Sequence, residues 1–126
     1  MLHDVKLEAS LPASDLARAR NWYHEKLDLK PVEEDDNGNM WFETGGVRWF
    51  LYESQFAGTN QATYAGFMVS DVEGTADELR SRGVVFEEYD MGDFKTENGI
   101  LALPDGGKGA WFKDSEGNIL SLFQRG

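Results

Sequence analysis

The stretch Ser14-Asp15-Leu16 returns as Ser70-Asp71-Val72, and Trp41-Phe42 returns as Trp111-Phe112. Setting Asp15 on Asp71 lays Leu11 on Phe67 and Ala13 on Val69. Each copy then reaches a segment closing on an acid pair, Pro31-Val32-Glu33-Glu34 and Val85-Phe86-Glu87-Glu88, with two residues fewer in the second. Chance can give any one of these matches, but their shared order along the chain marks a duplication, and a unit written twice constrains the fold more than any single element.

The contents of the unit follow from hydrophobic period. Val5, Leu7, Ala9, Leu11 and Ala13 alternate with polar residues and Pro12, which predicts a first strand with those five on its buried side. Leu16, Ala19, Tyr23 and Leu27 then recur at steps of three and four behind Ser14 or Asp15 as cap, an amphipathic helix over 14–27. A strand is expected over 30–36, an Asn37-Gly38 turn next, and strands over 40–44 and 47–53. The second copy gives a strand over 63–70, a helix over 71–83 stopped by Gly83, a strand over 84–90 and a final hairpin over 109–124. The connection 91–108, with Ile100-Leu103 as a strand piece, reads as a lid or binding loop. The prediction is an α+β fold of tandem βαβββ modules, a curved, mostly antiparallel sheet around a cleft. It forms a single domain over 1–126, with module one at about 1–54 and module two at about 62–126; the modules pair within one chain or across a dimer.

Asp and Glu number 23 against 12 Lys and Arg, a net charge of −11 that repels phosphate backbones and anionic lipid, so neither nucleic acid nor membrane is an expected partner. Absence of Cys removes disulfides, thiolate metal sites and cysteine nucleophiles. With no signal-like or membrane-length apolar run, a cytoplasmic protein is expected.

The helix segment Ser14–Val32 and the closing Trp111–Gln124, with its Asp114-Ser115-Glu116-Gly117-Asn118 turn, are similar to the vicinal oxygen chelate superfamily, which holds glyoxalase I, bleomycin-resistance proteins and extradiol dioxygenases. Leu27-Asp28-Leu29 stands where the family usually has Leu-Gly. The resemblance implies a divalent metal held by the first and last strands of each module. Those corners fall here on Glu8, Phe50, Tyr64 and Ser121. One carboxylate with two hydroxyls is a poor set for an ion that wants three or more His or carboxylate donors, so no metal and no other cofactor is expected. His3 and His24 read as surface residues.

Strand alternation places Glu8, Ser10, Arg48, Phe50, Tyr52, Tyr64, Gly66, Ile119, Ser121 and Phe123 on the cleft side, an aromatic lining with a few hydrogen-bonding groups. The aromatic members could equally pack an interface. Glu8 needs a partner among these rings, either Arg48 in an ion pair, or a ligand that it anchors or deprotonates. Trp49 reads as core, and Trp41 and Trp111 as structural openers of matched strands. The glycines around Lys108 lack the strand-then-helix setting of a phosphate loop. The functional expectation is a homodimeric protein that binds a small organic molecule without the usual metal, sequestering a cationic or aromatic compound as bleomycin-resistance proteins do. The alternative is a lyase, isomerase or dioxygenase of the same superfamily, with non-standard metal ligands or with Glu8 as a metal-free base and Tyr64 as its polar partner.

Overall fold

Both helices begin where an aspartate can accept from a free N–H. Asp15 Oδ1 takes the amide of Arg18 at 3.0 Å and opens α1 (Leu16–Leu27); Asp71 Oδ1 takes that of Gly74 at 3.1 Å and opens α2 (Val72–Ser81). The first helix stops at Asp28 in the left-handed conformation, and the second is followed by Gly83 with φ +90°. α1 buries Ala19 and Tyr23, and α2 buries Val72, Ala76 and Leu79.

The computed structural model describes residues 1–126. Its strands are β1 (Ala9–Ala13), β2 (Glu33–Glu34), β3 (Met40–Thr44), β4 (Val47–Glu53), β5 (Thr63–Met68), β6 (Asp90–Met91), β7 (Phe94–Lys95), β8 (Leu101–Ala102), β9 (Lys108–Lys113) and β10 (Ile119–Gln124). They form two open four-stranded sheets, ordered β1-β4-β3-β2 and β5-β10-β9-β8, and the small hairpin β6-β7. In each large sheet the edge strand that opens the module runs parallel to the module's last strand, and the other pairings are antiparallel. The duplicated α+β architecture is therefore present, with the two sheets not hydrogen-bonded to each other in the chain. No helix is long and apolar enough to cross a membrane.

One hydrophobic cluster of 17 buried residues joins the modules. Tyr23 packs on Phe42 and Trp49 of the first sheet, while Trp22 stacks on Phe112 of the second with ring centroids 6.2 Å apart. The helix-side faces of both sheets thus share one core, and their opposite faces are left open.

Three departures from the sequence pattern have local causes. Val5 and Leu7 are 58% and 93% exposed, because β1 starts only at Ala9 and the chain before it has no sheet neighbour. β2 ends at Glu34 because the Asp35 carboxylate takes the amides of Asn37 and Asn39, both at 2.9 Å, and turns the chain. In the second module the expected strand over 84–90 shrinks to one bridge, Phe86 with Phe112, and the chain leaves the sheet to build β6-β7.

Candidate functional site

In β4 the pleat sends Trp49 and Leu51 under α1, so Arg48, Phe50 and Tyr52 emerge on the open face. Ser10 of β1 lies beside Phe50, and Trp41 of β3 lies opposite it, with ring centroids 4.5 Å apart. Phe50 and Tyr52 are parallel within 5° at 5.7 Å. The Arg48 guanidinium sits 5.9 Å above the Trp41 ring. Its Nε is 3.8 Å from Glu8 and its Nη2 3.5 Å from Glu33. Lys6, Glu8, Glu43 and Arg48 line a cavity of about 280 Å³ with Leu7, Gly46 and Val47.

On the open face of the second sheet, Ser121 stands between Gly66 and Trp111, and Phe123 between Met68 and Gly109. A Cβ at Gly66 would come within 2.4 Å of Ser121 Oγ, so a side chain here would make the serine hydroxyl turn aside. Ile119 is buried. Tyr64 is the residue that β10 passes over, Ile119 pairing with Thr63 and Leu120 with Ala65; it is half-buried against the core. Tyr89 and Phe94 lean on Trp111 at 5.8 and 5.3 Å, so the β6-β7 hairpin is laid over this face. Thr96 fastens its base, exchanging hydrogen bonds with the backbone of Tyr89.

Ser10, Arg48, Phe50 and Tyr52 are therefore gathered on one sheet, with Glu8 reaching Arg48 from the segment just before β1, and Gly66, Ile119, Ser121 and Phe123 on the other, whereas Tyr64 packs against the core. The two sheets carry these groups on the faces that the shared core does not fill. Trp41 and Trp111, the matched strand openers, both lie on the open faces, Trp111 packed beneath Tyr89 and Phe94. The signal was available: Trp41 is out of phase with buried Met40 and Phe42, and Trp111 with Ala110 and Phe112. Tyr89 and Phe94 had no such signal, since a hairpin inside an irregular connection has no period. His3 and His24 are exposed, and Lys108 pairs with Glu73 at 2.9 Å. A cavity of about 460 Å³ lies between the β1 and β5 edges and is lined by Leu11, Trp49, Gly66 and Phe67 among others.

The donor chemistry of the four corners does not fit a divalent metal: Glu8 is the one carboxylate among them, and no three His, Cys, Asp or Glu side chains are arranged to hold an ion together.

The Asp114–Asn118 turn, by contrast, clasps the modules together. Asn118 Nδ2 donates to Pro12 O at 2.7 Å and its Oδ1 accepts from Gly58 N at 3.2 Å. Tyr23 donates to Asp114 at 2.6 Å. Burial raises the pKa of both partners: the Tyr23 hydroxyl is pushed well up, and Asp114 rises despite hydrogen bonds from Tyr23 and Asn118. The Glu116 side chain is fully buried and accepts from Asp15 N, Ser14 Oγ, Ser115 Oγ and the Arg18 guanidinium. Burial opposes its ionisation, but these donors prevail and hold its pKa at about 2.

Comparison with known proteins agrees with this architecture. Solved structures with the same fold include a lactoylglutathione lyase from Agrobacterium tumefaciens, at TM-score 0.72 and 17% identity, covering 96% of this chain and 93% of that one. Another is the fosfomycin resistance protein FosX from Listeria monocytogenes, at TM-score 0.73 and 11% identity over 98% and 92% of the two chains. A third, the glyoxalase family protein from Enterococcus faecalis, has TM-score 0.72 and 18% identity over 98% and 100%. No curated protein sequence matches the chain. The model of the Glyoxalase/Bleomycin resistance protein/Dioxygenase superfamily matches residues 7–122, and the chain belongs to that superfamily.

Proposed function

We propose that this protein binds a flat aromatic molecule, neutral or cationic, without the superfamily's usual metal, and sequesters it in a cleft completed by a second copy of the chain. The observation that carries the reading is the ring group Trp41, Phe50 and Tyr52 beside Glu8, Glu33 and Arg48, on the sheet face that holds the corner position Phe50, with the corner Glu8 at its margin. Stacked rings offer a planar guest large contact area, and carboxylates around them favour positive over negative charge. Ser10 and Tyr52 supply hydroxyls on this half, and Ser121 and Phe123 belong to the other half, with Ile119 beneath and Tyr64 at the strand bulge. Dimerisation is supported by the unpaired outer edges of β1 and β5 and by exposed Leu7, Val47 and Met68 near them.

Light scattering and titration with ethidium, a planar cation, test the reading together. A dimer that quenches its tryptophans stoichiometrically with ethidium, and loses that response in Trp41→Ala and Phe50→Ala, is the expected result. A monomer, or quenching indifferent to both substitutions, would reject it. The enzymatic alternative is favoured by one feature: no hydrogen bond ties Glu8 to its neighbour Arg48, which leaves its lone pairs available to a substrate proton. Metal analysis of protein purified without chelator separates the metal-dependent form, since stoichiometric divalent metal would support it.

A further inference from the structure

Gly109 and Trp111 lie two residues apart on the open face of β9, and the indole is folded back over the glycine, where a Cβ would meet its six-membered ring at 3.1 Å. The residue opposite Trp111 on β10 is Ser121, so no cross-strand ring from β10 covers the indole. In the first sheet the matched Trp41 has Phe50 in that place. The second sheet therefore carries an aromatic platform beside the corner position Ser121, and its cover comes from the β6-β7 hairpin: Tyr89 meets the indole nearly edge-on at 80°, and Phe94 at 50°. The hairpin is attached in two different ways. Its base is hydrogen-bonded on both sides, with Glu87 N donating to Trp111 O at 2.7 Å, Thr96 exchanging bonds with Tyr89, and Arg80 Nη2 donating to Asn98 O at 2.5 Å. Beyond that base β6 and β7 pair only with each other, in a small sheet joined to neither large one. Gly92 at the tip has φ +76° and nothing within 4 Å of a Cβ placed on it. What holds the hairpin against the second sheet is the contact of two rings with Trp111, and each such contact shifts an equilibrium by only about two- to tenfold.

We infer that this hairpin is a self-occluding flap over a second guest platform: Tyr89 and Phe94 stand where a planar ring would lie on Trp111, and a guest entering the second-sheet half of the cleft must lift them. The inference rests on the aromatic cleft proposed above and adds how access to it is controlled. A planar guest lying face-on covers more of the indole than two tilted rings do, which lets it displace them. Until it does, its apparent affinity is lowered by the fraction of molecules in which the flap is open. The sign of a mutational effect follows from this competition. Rings that wall a site add affinity, and their removal weakens binding; rings that occupy the guest's place oppose it, and their removal tightens binding.

The test titrates the full-length protein with ethidium, unaltered and as Phe94→Ala and Tyr89→Ala/Phe94→Ala, reading tryptophan fluorescence and hydrogen exchange. Affinity is expected to rise by about threefold in Phe94→Ala and by about tenfold or more in the double variant. In the unaltered protein ethidium should speed exchange at residues 89–96 while the 112–122 core stays protected. Phe94 is half-exposed, so its single substitution decides the sign even if the double variant does not fold. Affinity unchanged or reduced by removing the rings, with Phe50→Ala still abolishing binding, would overturn the flap and leave the aromatic cleft standing. Slower exchange at residues 89–96 with ethidium would overturn it too, as the mark of a hairpin that closes on its guest. Binding by the variants and not by the unaltered protein would support the flap and reject the cleft as a site open in the resting chain. No binding by any of the three would reject both.

Discussion

Replacing Glu116 by Gln isolates one charge in the clasp between the modules. The side chain is fully buried and its carboxylate meets Arg18 Nε at 2.9 Å, with further donors from Asp15 N and Ser115 Oγ. Its pKa lies at about 2 against an ordinary 4.5. Because the folded value is depressed, the linked stability is fully present above the unfolded value and is lost as pH falls from about 4.5 through about 2. The difference corresponds to about 3 kcal/mol, reduced somewhat because Arg18 is 52% exposed and its attraction is screened by water. Gln keeps the shape and loses the charge, and one of its ends presents N–H where the pocket supplies donors. Urea unfolding of both proteins should therefore show Glu116→Gln less stable by about 2–3 kcal/mol at pH 7, with the gap closing toward pH 2. Comparing the two proteins at each pH cancels the other carboxylates. A gap that is the same at pH 7 and pH 3, or one below about 0.5 kcal/mol at pH 7, would refute the assignment of a stabilising buried charge.

Tyr23→Phe should cost about 1–3 kcal/mol by leaving Asp114 short of a buried donor, and Asp114→Asn in the same chain should recover part of that loss in a double-mutant cycle. Gly58→Ala should destabilise by at least about 2 kcal/mol in chemical denaturation, since the residue has φ +73° and a Cβ would meet Glu116 O at 2.6 Å. Gly66→Ala should be milder, and Ser121→Ala should relieve it, because the clash is with the serine hydroxyl alone. Removing the hairpin's hold with Phe94→Ala should speed hydrogen exchange at residues 89–96 while leaving the 112–122 core protected.

Much of the fold was legible because its signals are local. Aspartate caps, left-handed stops and the change from period two to period three-and-four all act within a few residues, so both helices and the longer strands stand close to where the pattern puts them. The two copies being similar, each could be checked against the other. Short segments fared worse for an equally local reason: the Asp35 turn competes with β2, and the connection after Phe86 has no repeating pattern from which β6-β7 could be read. Val5 and Leu7 show the limit of alternation, since a strand needs a neighbour to bury its apolar side and none lies beside them.

The Asp114–Asn118 turn marks the line between the two kinds of information. As sequence it marked the family together with the Ser14–Val32 helix segment, and its glycine and asparagine announced a hairpin; nothing local said that its acids would be buried against Arg18 and Tyr23, and its asparagine against Pro12, about a hundred residues away in the chain. The same holds for the ligand face. Side-chain direction came from the pleat wherever the strands run regularly, so Phe50, Tyr52, Ser121 and Phe123 could be assigned from the sequence, while the bulge at Tyr64 could not. Which faces are covered was decided by packing: the helix-side faces of both sheets merge into one core, and Phe50 and Ser121 are left on the faces that this core does not fill.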